Sequence, residues 1–183
     1  MGGVHGIPVE IVALLASPRH AYAGRPGDGP APDPDGGGRS ELRVRARHGI
    51  DGDRYAGSDA HRTASVTVLS ADALDAVAAE LGAAPFDPLA ARRNVVLRGA
   101  VDVDALARHR GHEHGAVFAI DSGAGEIRFQ AHRPASPCRW MDVVLADGAW
   151  RAMRGRGGVR CTPLDDGSLT LGPATVRVIR PPG

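Results

Sequence analysis

Apolar runs in this sequence are short, and glycine or proline cuts nearly every one of them, so long helices cannot supply the fold. There are 25 glycines and 14 prolines among 183 residues. What survives between the turns is either rich in β-branched residues or alternates apolar with charged side chains, which are the patterns of buried and half-buried strands. Residues 9–15, 42–46, 64–69, 116–120, 126–131, 159–162, 168–172 and 174–179 read this way, and 89–99 leads into another strand. Residues 116–120 and 126–131 pair as a hairpin around the 121–125 turn. One helix is predicted over 71–81, capped by Ser70 and carrying Leu74, Val77, Ala78 and Leu81 on one face. A weaker helix is predicted over 143–153, followed by a flexible cationic loop at 154–158. Seven or more short strands with two helices predict a mainly β fold with a few helices (α+β), closed into a barrel-like shape.

A hydrophobic content of 43% is enough for one core, and one domain is expected over 1–183. Residues 24–40 form a Gly/Pro/Asp-rich segment with almost nothing to bury, read as a flexible surface loop or lid. No apolar run approaches the ~18 residues of a membrane span, and the start Met-Gly-Gly-Val-His-Gly lacks a basic secretion-signal region. A soluble, cytoplasmic protein is expected, with no membrane contact. Two cysteines are too few for a disulfide framework. A net charge of +1 and 4% aromatic residues argue against nucleic acid as a partner. All 22 basic residues are arginine, so no Schiff base to pyridoxal phosphate can form on this chain. Arginine is also the better fork for phosphates and carboxylates.

Chemistry concentrates between Phe129 and Asp142. Cys138 follows Pro137 and lies between Arg133 and Arg139 in sequence. A cationic surround favours a thiolate, the form that attacks electrophiles or binds a soft metal. Asp142 and Asp53 are candidates to orient an arginine or act as a base.

Four loops stand out in order: Gly52-Asp53-Arg54-Tyr55-Ala56-Gly57, Arg92-Arg93-Asn94, Pro137-Cys138-Arg139-Trp140, and Arg154-Gly155-Arg156-Gly157-Gly158. This ordered set resembles the MOSC domain, the module named after the C-terminal part of molybdenum cofactor sulfurases. The resemblance runs from the 9–15 strand and its Ser17-Pro18-Arg19-His20 turn to the final strand. It implies a predominantly β fold and a molybdenum cofactor (molybdopterin), or the sulfur of that cofactor, as cargo. It further implies that Cys138 is the key cysteine, as a metal ligand or as the carrier of a persulfide. For the anionic phosphate of the pterin it implies Arg54, Arg92, Arg93, Arg133, Arg139 and Arg156, together with loop amides, and it adds Asp53, Asn94, Gly157 and Gly158 to the cofactor-binding candidates.

Three functions follow from that reading. The first is a redox enzyme in which Cys138 completes molybdenum coordination and small N-hydroxylated or similar substrates are reduced. An electron-donor protein must then exist, because two cysteines cannot hold an iron–sulfur cluster that needs four. The second is sulfur transfer through a Cys138 persulfide loaded by a separate cysteine desulfurase. The third is a non-catalytic module that binds an anion or a partner protein. Tyr55 departs from the family pattern, where histidine is frequent. His109, His112 and His114 read as a solvated loop, Cys161 as packing and Trp140 as a cover for the site.

Overall fold

The computed structural model describes residues 6–183; the opening residues, on which the signal-peptide expectation rests, lie outside them. The described elements, in chain order, are β1 Ile7–Leu14, β2 Glu41–Arg45, β3 Gly49–Ile50, β4 Val66–Ser70, α1 Ala71–Glu80, β5 Val95–Gly99, β6 Val117–Asp121, β7 Ile127–Pro134, α2 Trp140–Val144, α3 Ala149–Ala152, β8 Val159–Pro163, β9 Gly167–Thr170 and β10 Gly172–Arg180. Seven strands close a barrel in the order β1-β10-β6-β7-β8-β4-β5, and β3-β2-β9 form a second, three-stranded sheet. The mainly β, barrel-like expectation therefore holds. Among the described residues no helix is long and apolar enough to cross a membrane.

Side chains alternate across a strand, so each barrel strand sends one set inward. Val66, Val68, Val95, Phe118, Phe129 and Cys161 belong to that interior set and are fully buried. Each large apolar side chain buried there contributes about 1.5–3 kcal/mol. Burial pushes the Cys161 thiol up, out of reach of ionisation at neutral pH, so this cysteine is packing.

Six of the barrel's strand pairs are antiparallel, while β4 and β5 run parallel, with Val68 opposite Val95 and Ser70 opposite Leu97. Parallel neighbours need a crossover, and α1 supplies it. Ser70 caps that helix, its Oγ accepting from the Ala73 amide at 3.2 Å. The outward set near the crossover includes Ala13, Leu69 and Val96, and these meet Leu74, Val77, Trp140, Met141 and Met153 in a second core. Trp140 is buried there, stacked on Tyr22 with ring centroids 5.3 Å apart.

Two local expectations are corrected. The helix expected over 143–153 is two short pieces, α2 and α3, separated at Gly148, whose φ of 86° lies in the left-handed region. Residues 154–158 end in a pinned turn: Gly157 and Gly158 are buried, and the Gly158 amide donates to Asp104 Oδ1 at 2.8 Å. A Cβ at Gly157 would sit 2.1 Å from the Ala135 carbonyl oxygen, and one at Gly158 would sit 2.0 Å from that of Val68. Only glycine admits this approach. In the segment read as a loop over 24–40, Gly37 is the one buried residue, and three contacts join the segment to the barrel side. Gly38 bridges Leu15, Gly37 accepts from the Ala16 amide at 2.9 Å, and Asp33 forms an ion pair with Arg92 at 2.9 Å.

Candidate functional site

Strand pairing brings distant segments to one patch on the barrel's outer wall. Leu14 lies opposite Val95, and Thr67 lies opposite Arg160. Thr67, Asn94 and Arg160 alternate with interior residues and therefore point outward. They surround a cavity of about 80 Å³ with Ser17, Asp53, Arg54, Tyr55, Arg92 and Arg93. That is ample room for a small oxyanion.

Asn94 organises the floor. Its Oδ1 accepts from the Thr67 amide and from Thr67 Oγ1, both at 2.9 Å. Its Nδ2 donates to the Leu15 carbonyl and to Asp53 Oδ2, both at 3.1 Å. The Asp53 carboxylate also accepts from the Tyr55 amide at 3.0 Å. Both residues are buried and their hydrogen bonds go to protein groups, so they shape the cavity and leave its cationic walls to meet a ligand.

Four guanidinium groups make the walls. Arg54 donates to the Arg19 carbonyl at 3.2 Å and to Tyr55 Oη at 2.8 Å. Arg92 donates to that same Arg19 carbonyl at 3.4 Å and to Asp33 at 2.9 Å. The Nε atoms of both arginines are buried with no hydrogen-bond partner. Arg92 reaches this place because its backbone takes a left-handed φ of 51° after a 3-10 turn at Pro88–Ala91. Such a conformation in a non-glycine residue costs about 1–3 kcal/mol and accumulates at functional sites.

Arg93 is held by three backbone carbonyls: Gly157 at 3.1 Å, Ala91 at 3.0 Å and Ala135 at 3.2 Å. Burial, and then the charge of Arg160, pushes its guanidinium down to about 10, still charged at neutral pH; a Cys138 thiolate acts in the opposite direction. Arg160 is likewise lowered by burial and then by Arg133 and Arg54. Among the described residues, Arg54, Arg93 and Arg160 form no ion pair with a carboxylate. Cations crowded and desolvated in this way are stabilised by an incoming anion.

Cys138 is exposed, in the turn between β7 and α2. Its neighbours in sequence, Ser136 and Pro137, line a second cavity that Gly157 also lines. Ala135 and Gly157, whose carbonyls hold Arg93, line this cavity of about 290 Å³ with Asp104 and Trp150. Burial raises the Asp104 carboxyl against the opposing hydrogen bond from Gly158.

The remaining sequence candidates lie elsewhere or do other work. Asp142 accepts from the Trp150 amide at 2.8 Å in the first turn of α3, and among the described residues it forms no ion pair with an arginine. Arg139 covers the Trp150 ring, 4.6 Å from its centroid. Arg156 pairs with Glu80 at 2.8 Å, turned towards α1. Arg133 is exposed and lies near Arg160 and His132 rather than in the cavity wall. Among the described residues no group of three or more His, Cys, Asp or Glu is placed to hold a metal ion. Sequence reasoning missed Ser17, Thr67 and Arg160 as wall residues and Asp33 as their neighbour. The available signal for two of them was a polar side chain alternating with apolar ones, Thr67 between Val66 and Val68 and Arg160 between Val159 and Cys161.

A search of curated protein sequences returns no match. The fold is similar to that of the YuaD protein of Bacillus subtilis, with a TM-score of 0.69 at 16% identity over 96% of this chain and 99% of that one. YiiM of Geobacillus stearothermophilus matches with a TM-score of 0.59 at 15% identity, over 94% of this chain and 75% of that one. For YiiM of Escherichia coli the values are 0.54 and 15%, over 96% and 70%. At these identities the likeness concerns the fold alone. The sequence model of the MOSC domain, however, matches residues 45–180, most of the chain, and the protein belongs to the MOSC domain family.

Proposed function

We propose that this MOSC protein binds a molybdenum cofactor, with the anionic group of the pterin in the arginine cradle and Cys138 as the protein's ligand to the metal. The observation that carries the reading is a cavity walled by four guanidinium groups, of which only Arg92 has a carboxylate partner among the described residues. Crowded guanidinium groups whose charge is opposed by burial are stabilised by an oxyanion seated among them. The donor set thus fits a phosphate, and an exposed thiol fits a soft metal.

Arg54, Arg92, Arg93 and Arg160 would hold the anionic group, with Thr67 and Ser17 offering hydroxyls. When bound, the cofactor supplies two-electron redox chemistry, here the reduction of N-hydroxylated or similar small substrates. The chain's own share is to fix the anion, to keep Arg93 charged, and to present the second cavity, with Asp104 and Trp150, to a substrate. Electrons come from a separate protein.

Sulfur transfer through a Cys138 persulfide is the second reading, favoured by an exposed thiol that lines neither cavity. Elemental analysis of protein produced in a molybdenum-competent host separates the two. Near-stoichiometric molybdenum that disappears in Cys138→Ser supports the metal reading. Cyanide-releasable sulfur without metal supports the carrier, and unchanged anion binding with neither leaves a binding module.

A further inference from the structure

The segment joining β1 to β2 carries a carboxylate that touches the anion cradle from outside it. Asp33 Oδ2 accepts from Ser17 Oγ and from Arg92 Nη2, both at 2.9 Å. The two charged side chains of this pair are only 9% and 10% exposed. Ser17 and Arg92 both line the 80 Å³ cavity, whereas Asp33 does not. Arg92 is thereby divided, one Nη on Asp33 and a buried Nε with no partner. Burial works against the Asp33 charge, but the hydrogen bonds from Ser17 and Arg92 outweigh it and hold the carboxyl below its ordinary range.

Asp33 is also one of the ties on the middle of this segment. Among the described residues, its two hydrogen bonds are the only side-chain bonds from residues 24–37 to the rest of the protein. Backbone bonds also tie it, Ala31 to Ala21 at 2.7 Å and Ala16 to Gly37 at 2.9 Å, and its 3-10 turn at Pro26–Asp28 lies against α2. Around Gly24, Gly27 and Gly29 an added Cβ would meet nothing within 4 Å.

We infer that Asp33 is an internal competitor for the oxyanion: its carboxylate engages Ser17 and Arg92 until an external dianion takes them over, and its release frees the strap over residues 24–37. The inference rests on the reading of the cavity as an oxyanion site. Its physical basis is valence and charge. A guanidinium satisfies one anion bidentately through Nε and Nη, and the Nη2 that Asp33 occupies belongs to an arginine of the cavity wall. A dianion seated there repels the adjacent carboxylate and outbids it for Arg92. As a tethered group Asp33 competes at a high effective concentration, so removing its charge strengthens binding of the free anion.

The test uses inorganic phosphate and, separately, molybdate, titrated calorimetrically into the full-length protein and its Asp33→Asn and Asp33→Ala variants. Hydrogen exchange over residues 24–37 is followed in parallel. Both variants are expected to bind phosphate at least tenfold more tightly, with the strap exchanging fast even without phosphate. In the wild type, saturating phosphate is expected to speed exchange at the Ala31 amide. Phosphate binding in the variants that is equal to or weaker than in the wild type overturns the competitor role while leaving the cradle intact. Absence of phosphate and molybdate binding in all three proteins overturns the oxyanion reading, and this inference with it.

Discussion

The side-chain amide of Asn94 donates to the Asp53 carboxylate at 3.1 Å, joining the start of β5 to the loop after β3 beneath the cationic cavity. Through its other bonds the same amide ties in Thr67 of β4 and Leu15 beyond β1. One buried residue therefore sets the spacing of four segments that contribute to the site.

Replacing Asn94 by alanine strands the Thr67 amide, the Leu15 carbonyl and one Asp53 oxygen in a buried place. Each unsatisfied group costs about 1–3 kcal/mol, so a loss of about 3 kcal/mol is expected, read as a lower urea midpoint with an unchanged denaturant slope. A loss below 0.5 kcal/mol would show that water replaces the amide and that it organises nothing.

Arg160 has no protein partner for its guanidinium among the described hydrogen bonds and ion pairs, and its charge is opposed by burial and by Arg133. Arg160→Gln is expected to leave the melting temperature unchanged or slightly raised in anion-free buffer. Added phosphate stabilises a binding protein by RT ln(1 + [L]/Kd), about 2.7 kcal/mol at a hundred times Kd, and this gain should shrink in the variant. Equal phosphate gains in both proteins would remove Arg160 from the site.

Gly158 combines a φ of 84° with a Cβ position 2.0 Å from the Val68 carbonyl oxygen. Alanine there must push β8 away from β4 and pull the Gly157 carbonyl from Arg93. We expect a destabilisation of about 3 kcal/mol or more, together with loss of phosphate binding. A stable, fully binding Gly158→Ala protein is the contrary result, checked by thermal melting and calorimetry.

His132 donates from Nε2 to Thr162 Oγ1 at 2.9 Å, because the single hydroxyl proton of Thr162 goes to the Arg62 carbonyl at 2.6 Å. Burial, then Arg108 and Arg133, hold its pKa below the ordinary value. The unfolded chain therefore takes up this proton first. Its contribution to stability is complete above the ordinary value of about 6.5 and is lost as pH falls from there towards the lower folded value. Urea midpoints at pH 7.5 and 5.5 should differ more in the wild type than in His132→Gln. Parallel pH dependence in the two proteins would be the refuting outcome.

Much of the local structure was legible in the residues. Alternation marked β2, where Leu42 and Val44 are buried and Glu41, Arg43 and Arg45 exposed. The Ser70 cap and the Leu74–Val77 face located α1 to within a residue at its end. The ordered loops around Asp53, Arg93, Cys138 and Gly157 identified the family. Less legible were residues whose role depends on what lies opposite them: Arg156, drawn away by Glu80, and Asp142, spent on the Trp150 amide of α3.

By itself the sequence determined the strand-rich composition of the fold, the position of its one long helix, the cysteine of interest and the arginine-only cationic set. These are properties of patterns a few residues long, governed by side-chain alternation, capping and turn chemistry. Tertiary structure alone decided that β4 and β5 run parallel, that Thr67 and Arg160 share a wall with Arg93, and that Asp33 of a glycine-rich segment reaches Arg92, 59 positions away. Such pairings follow from barrel closure, in which register is fixed by burying whole strand faces at once, and no local window contains that constraint.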